Sequence, residues 1–356
     1  MKGLILAGGK GTRLRPLTFT RAKQLIPIAN KANLLYVVDD LVAAGVTDLG
    51  IVISPETGDE VRRHLGESRR EGVRYTFLEQ AEPLGLPHAI LVARPFLGDD
   101  PFVMYLGDNL LSGGIGHLVA EYEQARPDAI VLLAEVDDPR HFGVAVLDEG
   151  GRVVRLVEKP QDPPSRLALV GVYLFSPRVH EVIATLEPSA RGEYEITEAI
   201  QGLVDRHLPV VAHRVRGWWK DTGRPEDLLE ANRLVLSQVS RRLDGQVTDS
   251  EVLGEVVVEA GARVSGSTLR GPIHIDADAV IEDSYIGPYT SLGRGCRVRE
   301  AEVEFSILLP QCEVLHLPYR LDSSIIGQGA LVTRREGRRR LQNIELVVGD
   351  FSRLNL

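Results

Sequence analysis

The chain has 356 residues, 44% of them hydrophobic and 26% charged, and a formal net charge of -9. That length exceeds what one hydrophobic core usually serves, so two domains are expected. The acidic balance argues against a general nucleic-acid binder, no stretch approaches the ~18 apolar residues of a membrane helix, and two cysteines (Cys296 and Cys312) without zinc spacing read as small core residues in a reducing cytoplasm.

The first 38 residues run against that balance: they carry seven Lys or Arg and no Asp or Glu. The opening apolar run GLILA ends at Ala7, too short for a secretion signal, and passes directly into GGKGTRLRPLTFTRAKQ. Glycines immediately after a strand let successive backbone N–H groups turn toward a bound anion. Lys10, Arg13 and Lys23 could add charge to phosphate oxygens there, Arg13 through a two-pronged contact and Lys23 as a point charge. The loop is neither the dinucleotide G-x-G-x-x-G nor the P-loop pattern, and a plain tight turn is the alternative.

Further along, the apolar runs GIVIS (50–54), RYTFLEQ (74–80), FVMYLGDN (102–109), AIVLLAEV (129–136), VVRLVEKP (153–160) and LVGVYLFS (169–176) read as strands. Helical patterns such as NLLYVVDDLVAAG (33–45) and EITEAIQGLVDRH (195–207) alternate with them. This alternation predicts an α/β domain over residues 1–240, built on a mostly parallel sheet that binds its ligands outside the carboxyl ends of the strands. Asp108, closing FVMYLGD, stands at such an end, where it could hold Mg²⁺ against a triphosphate or form a turn with Asn109.

In WWKDTGRPEDLLEAN (218–232), Pro225 followed by Glu226 and Asp227 makes a good helix start. Asp221 lies before that start and could supply a second carboxylate to the same metal. Glu158 could accept hydrogen bonds from sugar hydroxyls while Lys159 holds a phosphate; each is also explicable as a strand end or a solvated charge. Gln80 offers both the donor and the acceptor that reading a pyrimidine edge requires.

From about residue 247 helical periodicity vanishes and a 17-residue recurrence replaces it. Val258, Val264 and Leu269 return as Ile275, Ile281 and Ile286, then as Leu292, Val298 and Val303. Three apolar anchors per repeat predict three short strands per turn of a parallel β-helix over residues 247–356, in preference to an antiparallel sandwich. A fourth copy is expected to begin at Leu309 and Leu315, with HLPYR (316–320) bulging out before the pattern resumes. His274 and His316 read as surface or capping residues, and RREGRRR (334–340) as a solvated loop.

Taken together, G-G-K-G-T-R-L-R-P-L-T with K-Q-L-I-P (23–27), then L-G-D-N, G-V-A-V-L-D, E-K-P, R-G-E-Y-E-I-T and W-K-D-T-G in that order, resemble the sugar nucleotidyltransferases. Within them the chain is most similar to the long glucose-1-phosphate thymidylyltransferases, which carry a Rossmann-like catalytic domain, a C-terminal left-handed β-helix and a closing segment similar to VVGDFSRLNL (347–356). The resemblance implies Mg²⁺-dependent condensation of a nucleoside triphosphate, dTTP above all, with the sugar 1-phosphate of glucose. Leu6, Gly8, Gly9, Gly11, Thr12 and Arg13 would hold the nucleotide with Lys23 beside them, and Gln80 and Gly85 would read its base. Asp108 and Asp221 would carry the metal; Gly143, Glu158 and Leu169 would bind the sugar, and Lys159 and Arg191 its phosphate.

Leu86-Pro87 stands where the family usually has Leu-Ala, which bears on nucleotide preference because it follows Gly85. UTP, or a different hexose 1-phosphate, is the nearest alternative substrate. Acyl transfer in the β-helix, with His274 or His316 as base, and a non-catalytic sugar-nucleotide sensor are the more distant ones. Open solenoid ends and flat faces make a homo-oligomer the expected state, with small molecules and neither nucleic acid nor membrane as partners.

Overall fold

The computed structural model describes residues 1–334, 343–344 and 346–355. The chain sorts into two compact units, residues 1–9 with 34–221 and residues 10–33 with 222–356. The division falls elsewhere than the change of sequence texture near residue 247, because the basic loop and the helix of residues 225–236 hydrogen-bond to the solenoid.

The first unit is built on a nine-stranded sheet. Four of its strands are β1 (Lys2–Leu6), β2 (Asp48–Ile53), β3 (Arg74–Glu79) and β4 (Phe102–Leu106). They lie side by side in the order β4-β1-β2-β3, all parallel. Helices α1 (Asn33–Ala43), α2 (Gly58–Glu67) and α3 (Leu86–Val92) fall between successive strands, as parallel crossovers require. Since β1 has β2 on one side and β4 on the other, it marks the point where the winding reverses.

Beyond β4 the sheet becomes mixed. A short strand β5 (Asn109–Leu111) leaves it, and β6 (Ala129–Glu135), β7 (Gly143–Leu147), β8 (Val153–Glu158) and β9 (Leu167–Phe175) follow. No helix intervenes between β7, β8 and β9, so their short connections force antiparallel pairing: β7 with β8, and β9 with β4, β6 and β7. Strand β10 (Val210–Arg214) returns to parallel pairing beside β6, and β11 (Trp219–Asp221) pairs with β5 in a separate ribbon. Leu4, Met104, Phe102, Phe175 and Val131 centre the core of this unit.

His180 sits inside that core, 8% exposed and stacked on Phe102 with ring centroids 5.9 Å apart. Neither ring nitrogen finds a hydrogen-bond partner among the described residues. Burial, aided by the charge of Arg94, pushes its pKa down to about 4. The unfolded chain protonates this group near pH 6.5, so between pH 6.5 and 4 only the unfolded state takes up the proton. Stability from neutral His180 is thus complete above pH 6.5 and lost as pH falls toward 4, by on the order of 2–3 kcal/mol. His180→Leu should therefore gain several degrees of melting temperature on wild type between pH 7 and pH 5; an unchanged difference would contradict this.

In the second unit, α4 (Pro225–Leu236) begins where the sequence predicts, with Glu226 and Asp227 in its first turn. Among the described residues the chain then coils into three parallel sheets of seven, seven and six strands. The register shows the 17-residue repeat: Val264 pairs with Ile281 and Ile281 with Val298, while Leu269 pairs with Ile286 and Ile286 with Val303. At one corner, where strands break, Ser267 Oγ accepts the Ser284 N–H and Ser284 Oγ the Ala301 N–H, so the turns stay satisfied from coil to coil.

Two expectations about the later coils are corrected. The fourth copy starts at Leu308 and Val314, the ladder partners of Leu292 and Val298, rather than at Leu309 and Leu315. That coil is one residue shorter, and in a strand a one-residue slip exchanges inward and outward side chains. In HLPYR the coil does gain residues, but Leu317 and Tyr319 are buried in the solenoid core instead of bulging out. Cys296 and Cys312 are buried free thiols, 3.5 Å apart on neighbouring coils, as small core residues should be. The arginine run 335–340 lies outside the described residues. Among the described residues no helix is long and apolar enough to cross a membrane.

Candidate active site

The carboxyl ends of the four parallel strands form one hydrogen-bonded row. After β1 the Ala7 N–H donates to the Val52 carbonyl at 2.7 Å, after β3 the Gln80 N–H donates to the Ile53 carbonyl at 2.9 Å, and after β4 the Gly107 N–H donates to the Leu6 carbonyl at 3.0 Å. Gly8 packs so closely that a Cβ there would come within 3.3 Å of the Ile53 and Ser54 backbone. Leu6, Gly8, Gln80 and Asp108 therefore share one edge, as the sheet class demands.

Asp108 is 6% exposed, and the next residue, Asn109, is the ladder partner of Asp221. The β5–β11 ribbon thus sets Asp221 opposite the residue that follows Asp108, from more than a hundred positions further along the chain. Asn109, which the sequence suggested only as a turn residue, holds this corner: its Oδ1 accepts from Trp219 Nε1 at 2.6 Å and from Gly171 N–H at 3.3 Å, while its Nδ2 donates to Asp108 Oδ1 at 3.3 Å. Among the described residues no group of three or more His, Cys, Asp or Glu side chains is placed to hold a metal. Two carboxylates are nonetheless a fitting donor set for Mg²⁺, which keeps waters and substrate phosphate oxygens in its shell.

Gln80 is oriented from two sides. Its Nε2 reaches the Gly85 carbonyl at 3.3 Å and His88 Nδ1 at 2.9 Å, and the His88 ring stacks on Tyr194. Gly85 has φ of 100°, and a Cβ there would lie 2.1 Å from the Tyr194 carbonyl oxygen, so only glycine fits this backbone approach. Tyr194 lies within R-G-E-Y-E-I-T and His88 directly follows Leu86-Pro87, but the contact between them is long-range and leaves no local signal. Pro87 occupies the first turn of α3, where a missing N–H is harmless.

A third cluster forms where β7 and β8 pair. Gly143 faces Glu158 in the ladder, and a Cβ on Gly143 would meet Thr197 at 2.6 Å, Leu169 at 3.0 Å and Glu158 at 3.2 Å. Gly143, Glu158 and Leu169 are thus brought together as expected, with Thr197 as an added member that donates to Glu158 Oε2 at 3.2 Å. Lys159 Nζ and Arg191 Nη2 each stand 3.4 Å from Glu158 Oε1. Arg191 is held mainly by buried Glu195, at 2.6 Å and 2.7 Å through Nη2 and 3.1 Å through Nε. A cavity of about 610 Å³ opens beside these groups, lined by Glu158, Arg191, Thr197 and Glu198 among others. Burial, then the charges of Glu195 and Glu158, raise the Glu198 carboxyl above its ordinary range.

The basic loop belongs to the second unit. Gly11 adopts φ of 60°, and its carbonyl accepts from Thr18 Oγ1 at 2.7 Å and from Leu14 N–H at 2.9 Å. A Cβ on Gly11 would lie 2.9 Å from that of Lys23, so the loop folds Gly11, Thr12 and Arg13 back beside Lys23. Leu14, Leu17, Ala22, Leu25 and Ile26 are buried beneath it while Thr12 and Arg13 stay exposed. In the solenoid, both nitrogens of His274 are engaged, with Ala29 O and Glu259 Oε1 at 3.1 Å each, and His316 pairs with Glu300 at 3.0 Å. Neither stands as a free base, which disfavours acyl transfer.

Comparison with known proteins agrees with this geometry. Residues 2–238 match the family described as nucleotidyl transferase, and residues 232–316 match the GlmU-like C-terminal hexapeptide family, whose repeats form left-handed β-helices. A glucose-1-phosphate thymidylyltransferase of Streptomyces antibioticus is 50% identical over 94% of this chain and 94% of its own length. One of Streptomyces griseus is 47% identical over 100% and 99% respectively. The crystal structure of a UDP-glucose pyrophosphorylase complexed with UDP-glucose superposes with a TM-score of 0.61 at 27% identity, covering 67% of this chain and 98% of that one. Such enzymes generally use a divalent metal and act on small molecules. A Rossmann-like sheet continued by a hexapeptide β-helix, matched nearly end to end by these enzymes, makes the chain a member of the nucleotidyl transferase family.

Proposed function

We propose that the chain transfers a thymidylyl group from dTTP to glucose 1-phosphate, releasing pyrophosphate and forming dTDP-glucose. The observation that supports this reading is the pairing of Asp221 with Asn109, the residue after Asp108, together with a cluster of Gly143, Glu158 and Leu169 suited to a sugar phosphate. An oxygen of the sugar phosphate, ionised at neutral pH, attacks the α-phosphorus; the bond to the bridging oxygen breaks and pyrophosphate leaves with its electron pair. No protein nucleophile is required, so the residues position the reactants and neutralise charge.

Gly8, Gly9, Gly11 and Thr12 offer backbone and hydroxyl donors to the triphosphate, and Arg13 and Lys23 meet the charge that develops on pyrophosphate. Leu6 and Gly85 border the nucleoside. Gln80, its Nε2 engaged by Gly85 and His88, presents Oε1 as an acceptor for the pyrimidine N3–H. Glu158 accepts from sugar hydroxyls near Gly143 and Leu169. Lys159 and the Nη1 end of Arg191 hold the sugar phosphate, Glu195 keeping the rest of that guanidinium in place. Asp108 and Asp221 would hold Mg²⁺, which supplies charge neutralisation at the reacting phosphates.

The catalytic region then comprises residues 1–240 and the solenoid residues 247–356. Free buried thiols accord with the cytoplasm, and the open solenoid ends accord with a homo-oligomer.

A second reading, UTP in place of dTTP, is favoured by the structural likeness to a protein holding UDP-glucose. The two nucleotides differ by one methyl, worth about 1–3 kcal/mol in an apolar pocket, so measurable use of both is expected. Pyrophosphate release measured with glucose 1-phosphate and each of five nucleoside triphosphates decides between them. Gln80→Ala should narrow the preference for pyrimidines while leaving turnover with saturating dTTP within about tenfold. Silence with every nucleotide and with several sugar phosphates would refute the catalytic reading.

A further inference from the structure

The basic loop of residues 10–33 is fastened to the solenoid at two places. At its far end, Ala29 and Asn30 turn at φ of 45° and 64° between the two-residue strands Pro27–Ile28 and Lys31–Ala32. Buried Asn232 accepts the Ala29 N–H at 2.8 Å and the Ser291 hydroxyl at 3.0 Å, and donates to the Tyr289 carbonyl at 3.0 Å. Asn30 Nδ2 donates to the carbonyls of His274 at 3.1 Å and Leu292 at 3.0 Å.

The second fastening lies at the middle of the loop and uses the last coil. Thr20 Oγ1 donates to Asp350 Oδ2 at 2.8 Å, and the same oxygen is 3.6 Å from Arg21 Nη2. Arg21 also hydrogen-bonds Gln328 Oε1, and Gln328 N–H donates to the other oxygen of Asp350 at 2.8 Å. The side chains of Arg21 and Asp350 are 12% and 4% exposed. Gly349 approaches Pro16 so closely that a Cβ would come within 3.2 Å of the proline ring.

A buried ion pair is weak support for stability, since desolvation offsets much of its attraction, but it does impose one register on the segments it joins. The segment here is the one that carries phosphate-binding groups: Arg13 lies three residues before Pro16, and Lys23 two residues after Arg21. A loop of this length, bearing long lysine and arginine side chains, would lose considerable freedom on closing round a ligand, and holding it in advance removes that loss from binding.

We infer that Asp350 and Gln328, with Arg21 and Thr20, are positioning residues for the triphosphate loop, so that the C-terminal closing segment contributes to nucleotide binding at a distance. This rests on the reading of the loop as a triphosphate site. The test compares full-length Asp350→Ala, Asp350→Asn, Gln328→Ala and Arg13→Ala for kcat and for KM toward dTTP and glucose 1-phosphate, with thermal melting alongside. Asp350→Ala is expected to raise KM for dTTP about tenfold while KM for glucose 1-phosphate stays within about twofold. Asp350→Asn, which keeps one acceptor oxygen but replaces the other with a donating NH2, should recover some of that loss, and Gln328→Ala carries the comparison should Asp350→Ala fail to fold. An unchanged KM for dTTP, or two KM values rising together, overturns the inference provided Arg13→Ala does raise the dTTP value. If Arg13→Ala leaves it unchanged, the loop reading itself falls and the inference with it.

Discussion

Replacing Asp108 by Asn is expected to reduce turnover with dTTP and glucose 1-phosphate by at least ~10³-fold, with a melting temperature within a few degrees of wild type. Asn keeps the shape of the side chain and can still accept the hydrogen bond from Asn109 Nδ2, so the β5–β11 corner should survive. What it removes is the negative charge that lets the site bind a divalent cation. Asp221→Asn should show a loss of similar size, and the double variant should be little worse than either single one, because the two carboxylates act as a unit. Pyrophosphate release under saturating Mg²⁺, with thermal melting as the control for folding, measures this. Full activity in Asp108→Asn is incompatible with the proposed role.

The second large effect is expected at Gly85. A methyl group there would sit 2.1 Å from the Tyr194 carbonyl oxygen, at a φ that only glycine adopts without strain. Both partners are backbone, so no side-chain rotation relieves the clash and the Gly85–Tyr194 bridge must open. Gly85→Ala should therefore lose on the order of 2–4 kcal/mol of stability. Because Gln80 Nε2 takes its direction from the Gly85 carbonyl and from His88, KM for dTTP should rise by at least about tenfold as well. Melting curves and kinetics of the one variant test both parts, and a protein that melts and binds like wild type would show that this backbone contact has no bearing on the nucleotide.

Much of this arrangement was legible in the order of residues. The parallel strands announce themselves as continuous apolar runs, since both faces of such a sheet are covered, and their carboxyl ends point to Gly8 and Asp108. The solenoid is legible for a different reason: each coil repeats one solution to the same packing problem, so Val264, Ile281 and Val298 return at a constant spacing. The spacing ceases to be a guide where coils change length, and there the sequence misplaces the fourth copy by one residue and turns Leu317 and Tyr319 outward.

Other features depend on contacts with no trace in local sequence. In sequence Asn109 reads only as a turn residue, because Trp219 and Gly171, which donate to its Oδ1, come from distant strands. The antiparallel run of β7, β8 and β9 follows from missing crossovers, a matter of topology rather than composition.

By itself, then, the sequence determined the two architectures, the basic character of the first loop and the residue types available for charge and hydrogen bonding, because periodicity and composition express burial directly. Tertiary structure alone decided which distant groups meet: Asp108 with the strand of Asp221, His88 with Gln80 and Tyr194, Thr197 with Gly143, and Asp350 with the loop at Arg21. Each of these meetings joins segments far apart in the chain, and their geometry is set by the packing of whole strands and coils, which no short stretch of residues encodes.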